Sequence, residues 1–296
     1  MSPAAGAVVV RLGTRGSALA RAQAEIAAAA LRLAGATRLD TVVVRTHGDR
    51  HPQTAVEELS GQGWFTAELE RALLDGEIDV AVHSFKDLAI ERPPGLVVAA
   101  VLPRGDPCDA LVTRDGTVLA GLPAGARVGS SSRRRAAFLA AVRGDVEPAP
   151  IRGNVDTRLR KLDSGEVDAL LLAAAGLDRL HRGGRVAERL DPAVFVPAPA
   201  QGAIAVEVRR GSAADALVRG IGDTEAEIAV TAERTVLAAL GGGCLLPLGA
   251  WARVDSGRLT LHAALARDDG SIARARVDAD PGDPEAAGRH AAELLR

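Results

Sequence analysis

The chain is predicted to be an α/β protein: two α/β domains facing each other across a hinged cleft, followed by a small α+β domain. Three observations carry this. Strand-like and helix-like segments alternate from the start, as they do when helices cover a largely parallel sheet. The pattern of the first part of the chain then returns, in the same order, in the second. From about Thr224 the alternation gives way to one helix, three short strands and a last helix.

The first unit opens with the strand "AVVVRLG" (7–13). The alanine-rich helix "SALARAQAEIAAAALRLAG" (17–35) follows, with Ser17 as its N-cap and Gly35 as its stop. "DTVVVRT" (40–46) reads as a second strand. "TAELERALLDGE" (66–77) is a helix that delivers the buried strand "IDVAVHS" (78–84).

Three echoes mark the second unit. Arg11-Leu12-Gly13-Thr14 matches Arg127-Val128-Gly129-Ser130, "VVVRTHGD" (42–49) matches "APIRGNVD" (149–156), and "LLDGEIDVAV" (73–82) matches "LDSGEVDALL" (162–171). Between the units lies the Pro/Gly-containing stretch "VLPRGDP" (101–107). The Pro-rich "VPAPAQG" (196–202) crosses back to the strand "AIAVEVR" (203–209), which is expected to return to the first domain. The domains expected are therefore 1–101 with 203–221, then 106–196, then 224–296. Two crossings between paired α/β domains make a hinged cleft, a usual seat for a ligand.

Bulk composition excludes several classes. The 296 residues carry a net charge of −2, so no global field draws the chain to nucleic acid or to a membrane surface. Two cysteines, Cys108 and Cys244, do not make a disulfide framework. The N-terminus lacks the basic region of a signal peptide, and no run approaches the roughly 18 apolar residues of a spanning helix. A cytoplasmic monomer is the expectation.

Polar residues gather at the C-terminal ends of strands, where parallel sheets bind ligands. The first unit offers Thr14, Arg15 and Ser17, then "HSFKD" with Ser84, Lys86 and Asp87. The second offers "SSSRRR" (130–135) and "RGNVDTR" (152–158). Arginine's planar fork binds carboxylate or phosphate through two hydrogen bonds. Arg15, Arg134, Arg135, Arg152 and Arg158 at equivalent junctions therefore predict a ligand with several anionic groups. No phosphate loop and no G-x-S-x-G elbow is present. His47 and His51 have a spacing seen at metal sites but no further partner nearby, so no metal is expected. With six aromatics and no tyrosine, base stacking is not the expected mode. A lone carboxylate, Asp87, among cations suits a reaction that develops positive charge. Cys244 follows three glycines in "GGGCLLP" (241–247), which leaves room for a bulky group at its sulfur.

These stretches together resemble one family. "GTRGSALARAQ", "LERALLDGEIDVAVHSFKDL", "LPAGARVGSSSRRR", "IRGNVDTRL", "AAAGLDRL", "PAPAQGAIAVE", "TAER" and "GGGCLLPLGA" run in order as they do in the hydroxymethylbilane synthases, also called porphobilinogen deaminases, of tetrapyrrole and heme biosynthesis. The resemblance implies two periplasmic-binding-like α/β domains plus a small third. It implies that Cys244 carries a dipyrromethane cofactor through a thioether. This transferase adds four porphobilinogens head to tail, each losing ammonia, before water releases the linear tetrapyrrole.

By position, the resemblance assigns the rings' carboxylates to Arg15, Ser17, Ser132, Arg134, Arg135, Arg152, Arg158 and Arg185. Lys86 matches a cofactor-contacting lysine and Asp87 the catalytic aspartate, while Phe65 and Gln201 line the same cleft. Glu58 and Gln62 stand where many members have lysines, Cys108 where arginine is usual, and Ala200 in place of a glycine. The competing class is a non-catalytic solute- or effector-binding module, which shares the arginine-lined cleft but lacks a third domain with a glycine-flanked cysteine.

Overall fold

The computed structural model describes residues 9–45, 66–243 and 246–296. In chain order the first unit contributes β1 (Val9–Thr14), α1 (Ala18–Leu33), β2 (Arg38–Val43), α2 (Ala67–Leu74), β3 (Val80–Ser84) and β4 (Leu96–Val101). The second contributes β5 (Asp109–Thr113), β6 (Arg127–Gly129), α3 (Arg133–Val142), β7 (Glu147–Ala149), α4 (Val155–Asp163), β8 (Ala169–Ala173), α5 (Ala174–Arg179) and β9 (Val186–Arg189). Then come β10 (Ile204–Arg209), α6 (Ala213–Arg219), α7 (Thr224–Ala239), β11 (Leu248–Asp255), β12 (Arg258–Ala266), β13 (Ile272–Ala279) and α8 (Pro284–Leu295).

The first sheet has the order β2-β1-β3-β10-β4 and the second β7-β6-β8-β5-β9. The two orders are equivalent strand for strand, with β10 in the place of β5. As the sequence suggests, β10 rejoins the first sheet after the second crossing. The sheets differ from the largely parallel expectation in one respect. β10 runs antiparallel to β3 and β4, and β5 antiparallel to β8 and β9. These are the strands that arrive by the crossings. No helical crossover precedes them, so nothing forces them parallel.

The sequence echoes have a common physical cause in both units. The Arg11 N–H donates to Asp79 at 2.9 Å and the Arg127 N–H to Asp168 at 2.8 Å, while each aspartate's own N–H bonds back to the arginine carbonyl. A Cβ on Gly13 would meet the tip of Ile78, and one on Gly129 the tip of Leu170, so the glycine of each "R-x-G" leaves room for a side chain next to it to pack close. Helix α1 presents Ala24, Ala27, Ala28 and Leu31 to the sheet, one face at helical spacing, against Leu12, Val80 and Val206. Its Ser17 cap is as predicted: the hydroxyl accepts from the Ala20 N–H at 3.2 Å.

The third domain is the antiparallel sheet β11-β12-β13 with α7 and α8 on one face, closing a core that includes Val236, Leu248, Leu261 and Ala291. Burial of each such leucine or valine contributes about 1.5–3 kcal/mol. The opposite face meets the second unit, where Ala264 packs with Phe195 and Val196.

The two crossings lie side by side. The Gly105 N–H donates to Gly202 O at 3.1 Å, and Arg104 Nε to Gln201 O at 2.9 Å. Ala200, where the family resemblance leads one to expect glycine, takes a φ of 61°, a left-handed conformation that strains a residue with a Cβ. Buried Glu233 of α7 holds it there, accepting the Ala200 N–H at 2.6 Å and that of Ala252 at 2.7 Å.

Candidate functional site

Strand β3 ends in a single 3-10 turn, Phe85–Asp87. Phe85 is buried, and its N–H donates to Ala203 O, just past the second crossing, at 3.1 Å. From α7, Arg234 donates to the carbonyls of Phe85 (3.3 Å), Leu88 (3.1 Å) and Ala89 (2.7 Å), and its guanidinium lies 4.6 Å from the Phe85 ring centroid. The turn is thus gripped from the third domain, which leaves Lys86 half-buried and Asp87 exposed. Asp87 caps no helix, because the chain leaves the turn extended at Leu88. It shares a recess with Arg15, Ser17, Gln23, Thr66 and Ser84, and Gln23 Nε2 donates to Ser84 Oγ at 2.9 Å.

Gln201, on the second crossing, joins the two units. Its Oε1 accepts from Lys86 Nζ of the first and from Arg135 Nη2 of the second, both at 3.3 Å. Its Nε2 donates to Pro107 O at 2.8 Å and Asp109 Oδ1 at 3.1 Å. Burial, then the neighbouring Arg135 charge, depresses the Lys86 ammonium to about 8. Asp109 is fully buried, but Arg134 and Arg135 hold its carboxyl far below the usual range.

The second unit carries the densest positive charge. Ser132 caps α3, accepting the Arg135 N–H at 3.4 Å, and Asn154 caps α4, accepting that of Thr157 at 2.9 Å. The Ser130 N–H bonds Ala149 O at 2.8 Å, so the loops after β6 and β7 run together. Arg158 donates through Nε to Gly153 O at 2.8 Å. Burial and the adjacent Arg135 and Arg152 lower its guanidinium to about 10. Arg152 makes no hydrogen bond or ion pair among the described residues. Such crowded, half-buried cations are electrostatically incomplete without an anion.

Not every arginine singled out in the sequence belongs to this group. Arg134 is buried between Phe138 and Phe195 and donates to Asp109 Oδ2 at 2.7 Å and Val196 O at 2.8 Å. Arg135 is buried on the other oxygen of the same carboxylate, donating through Nε to Asp109 Oδ1 at 2.7 Å and through Nη1 to Leu171 O at 3.0 Å. Arg185 grips Asp163 with both arms, at 2.6 and 3.3 Å. Arg179, which sequence reasoning missed, reaches the second crossing instead, donating to Gly202 O at 2.6 Å beside Gln201. Its place in "GLDRL", after the strand that corresponds to β3, was the available signal.

Cys244, Phe65, His47, His51, Glu58 and Gln62 lie outside the described residues. The three glycines before Cys244 are described. Gly241 has a φ of 68° where α7 ends, and a Cβ on Gly242 would collide with Leu237. Gly241 and Gly243 both face open space. Two of the three glycines therefore serve the chain's own path.

Comparison with known proteins agrees with this geometry. Residues 10–216 match the family model described as porphobilinogen deaminase, dipyromethane cofactor binding domain, and residues 227–296 its C-terminal domain. A porphobilinogen deaminase of Acidothermus cellulolyticus is 50% identical over 303 residues, covering 100% of this chain and 91% of its own. One of Mycobacterium leprae is 48% identical over 273 residues, covering 89% and 86%. With both its cleft-forming units and its third domain matched in order, the chain belongs to the porphobilinogen deaminase family.

Proposed function

We propose that the cleft builds a linear tetrapyrrole on a covalent dipyrromethane held by Cys244, with Asp87 as the catalytic carboxylate. The chain is a transferase that condenses porphobilinogen, four molecules per product, with loss of ammonia and a final hydrolysis to hydroxymethylbilane. One observation carries the assignment of the site: half-buried Arg152 and Arg158 crowd against buried Arg135, which shares Gln201 with Lys86, and the exposed carboxylate of Asp87 follows Lys86 in the same turn.

The dipyrromethane, when bound, supplies the free pyrrole carbon to which substrate is joined. Arg152 and Arg158 answer the acetate and propionate groups of the rings, with Arg135, seated on Asp109, adding its charge behind them. Arg15, Ser17 and Ser132 supply further donors. Lys86, poised near neutrality, gains its full charge against a carboxylate. Asp87 accepts from the N–H of the incoming pyrrole and stabilises the positive charge that develops as ammonia leaves. Gln201 holds Lys86 and Arg135 in register. The protein works as a cytoplasmic monomer and meets neither nucleic acid nor membrane surface; its near-neutral net charge supports the absence of those two partners.

The test is intact mass together with porphobilinogen consumption. Wild type should carry an adduct and consume substrate, and Cys244→Ser should be folded, unmodified and inactive. An adduct mapped to Cys108 would reject the cysteine assignment. A bare, inactive wild type would favour the non-catalytic binding module.

A further inference from the structure

Behind the turn that carries Asp87, on the α2 side of the first sheet, sits a buried charged cluster that the reaction does not use. Glu207 of β10 is fully buried, with valines on either side of it in the strand. Its Oε2 accepts from His83 Nε2 at 3.0 Å, and its Oε1 faces Arg92 Nε at 3.7 Å. Glu70 of α2 faces the same carboxylate, and burial together with the Glu207 charge lifts the Glu70 carboxyl above its usual range. The Thr66 hydroxyl at the start of α2, Glu207 Oε1 and both terminal nitrogens of Arg92 are buried without a hydrogen-bond partner among the described residues, so Arg92 meets the carboxylate by charge alone.

Packing alone does not account for this. Buried ion pairs are a poor source of stability compared with apolar side chains of similar size. The arrangement has a positional logic instead. His83 stands in β3 just before the turn, and Arg92 lies beyond residues 88–91 on the way from the turn to β4. Both reach the same carboxylate on β10. Arg234 grips the carbonyls of the turn from the other side.

We propose that Glu207 is a positioning residue for Asp87: through His83 and Arg92 it fixes against strand β10 the strand that enters the catalytic turn and the segment that leaves it. The inference rests on the reading of Asp87 as the catalytic carboxylate. Misplacing a catalytic group by about 1 Å costs on the order of a hundredfold in rate. Loss of the anchor should therefore appear in kcat, with KM and cofactor loading kept.

The experiment uses cofactor-loaded protein and four chains: wild type, Glu207→Gln, Asp87→Asn and the double variant. Glu207→Gln keeps the shape and one acceptor but removes the charge. Its kcat should fall roughly ten- to hundredfold, with KM and adduct mass near wild type. In the Asp87→Asn background the same change should cost almost nothing further, because both act through one group. Arg92→Gln, at the more accessible end of the cluster, should give a smaller loss of the same kind, and it stands in should Glu207→Gln not fold. Normal kcat in loaded Glu207→Gln and Arg92→Gln, or losses that multiply in the double variant, overturns the inference alone. Normal turnover by Asp87→Asn overturns the catalytic reading as well.

Discussion

Arg104 and Glu233 form a two-armed ion pair, Nη1 to Oε1 at 2.6 Å and Nη2 to Oε2 at 3.0 Å, joining the first crossing to helix α7. The same carboxylate accepts backbone N–H groups from the second crossing and from β11, so one side chain ties three segments of different domains. Burial lifts the Glu233 carboxyl above its usual range even beside Arg104. The ionised pair therefore does not recover all of its desolvation, and its value is geometric.

Glu233→Ala should be among the most destabilising single changes in the molecule. It leaves a buried guanidinium and two buried N–H groups without their acceptor, at a cost of about 3–5 kcal/mol. Glu233→Gln, which keeps the acceptor oxygen, should cost less. Denaturant unfolding checks this, and a loss below about 1 kcal/mol for the alanine would place the pair with ordinary surface bridges.

Lys86 is one of only two lysines in the chain, with Lys161, so amine labelling followed by peptide mass can read it directly. In cofactor-free Cys244→Ser protein its labelling should rise with a midpoint near pH 8. The folded state holds this proton less tightly than the unfolded chain does. Stability from this group is therefore present above the unfolded lysine value and is lost as pH falls through about 8. Lys86→Met in the same background should be more stable at pH 7, by up to about 3 kcal/mol, and the gain should vanish towards pH 10. A gain that does not change with pH would show that packing, not charge, is responsible.

Arg152→Gln should yield soluble protein that is largely free of cofactor. A bidentate partner removed from a poorly solvated carboxylate costs about 2–5 kcal/mol of binding. The thermal midpoint should drop too, because bound cofactor stabilises the native state. Arg133→Gln, on the exposed side of α3, should load and turn over as wild type does. Retention of the adduct by Arg152→Gln would remove the cationic cluster from the cofactor's seat.

Arg185→Gln separates sequence position from geometry. Its guanidinium is already committed to exposed Asp163, a pair worth less than about 1 kcal/mol. Arg179→Gln, at the crossing, should impair cofactor loading more than Arg185→Gln does. Intact mass of the two variants decides between them, and the reverse order would restore Arg185 to the carboxylate-binding set.

The duplicated architecture was legible because its causes are local. "R-x-G" and "G-E-x-D" reappear wherever one strand must start against the next, and Gly13, Gly129, Asp79 and Asp168 serve that one need twice. Strand direction was not legible for β5 and β10, since it depends on where a crossing delivers the chain and not on strand composition. Residue types marked the cleft's arginines as anion binders but could not apportion them. The aspartates that claim Arg134 and Arg185 are distant in sequence, and neither Asp109 nor Asp163 carries a local sign of its partner.

The paired crossings restrict how the cleft can move. Two tethers bonded to each other at Gly105 and Gly202, and anchored together on Glu233, leave little freedom to twist or slide. What remains is rotation about the line the tethers share, as a book opens at its spine. A product that lengthens ring by ring then has to be accommodated by opening angle. Successive stages of synthesis would share one registry between the covers and differ in how far apart they stand.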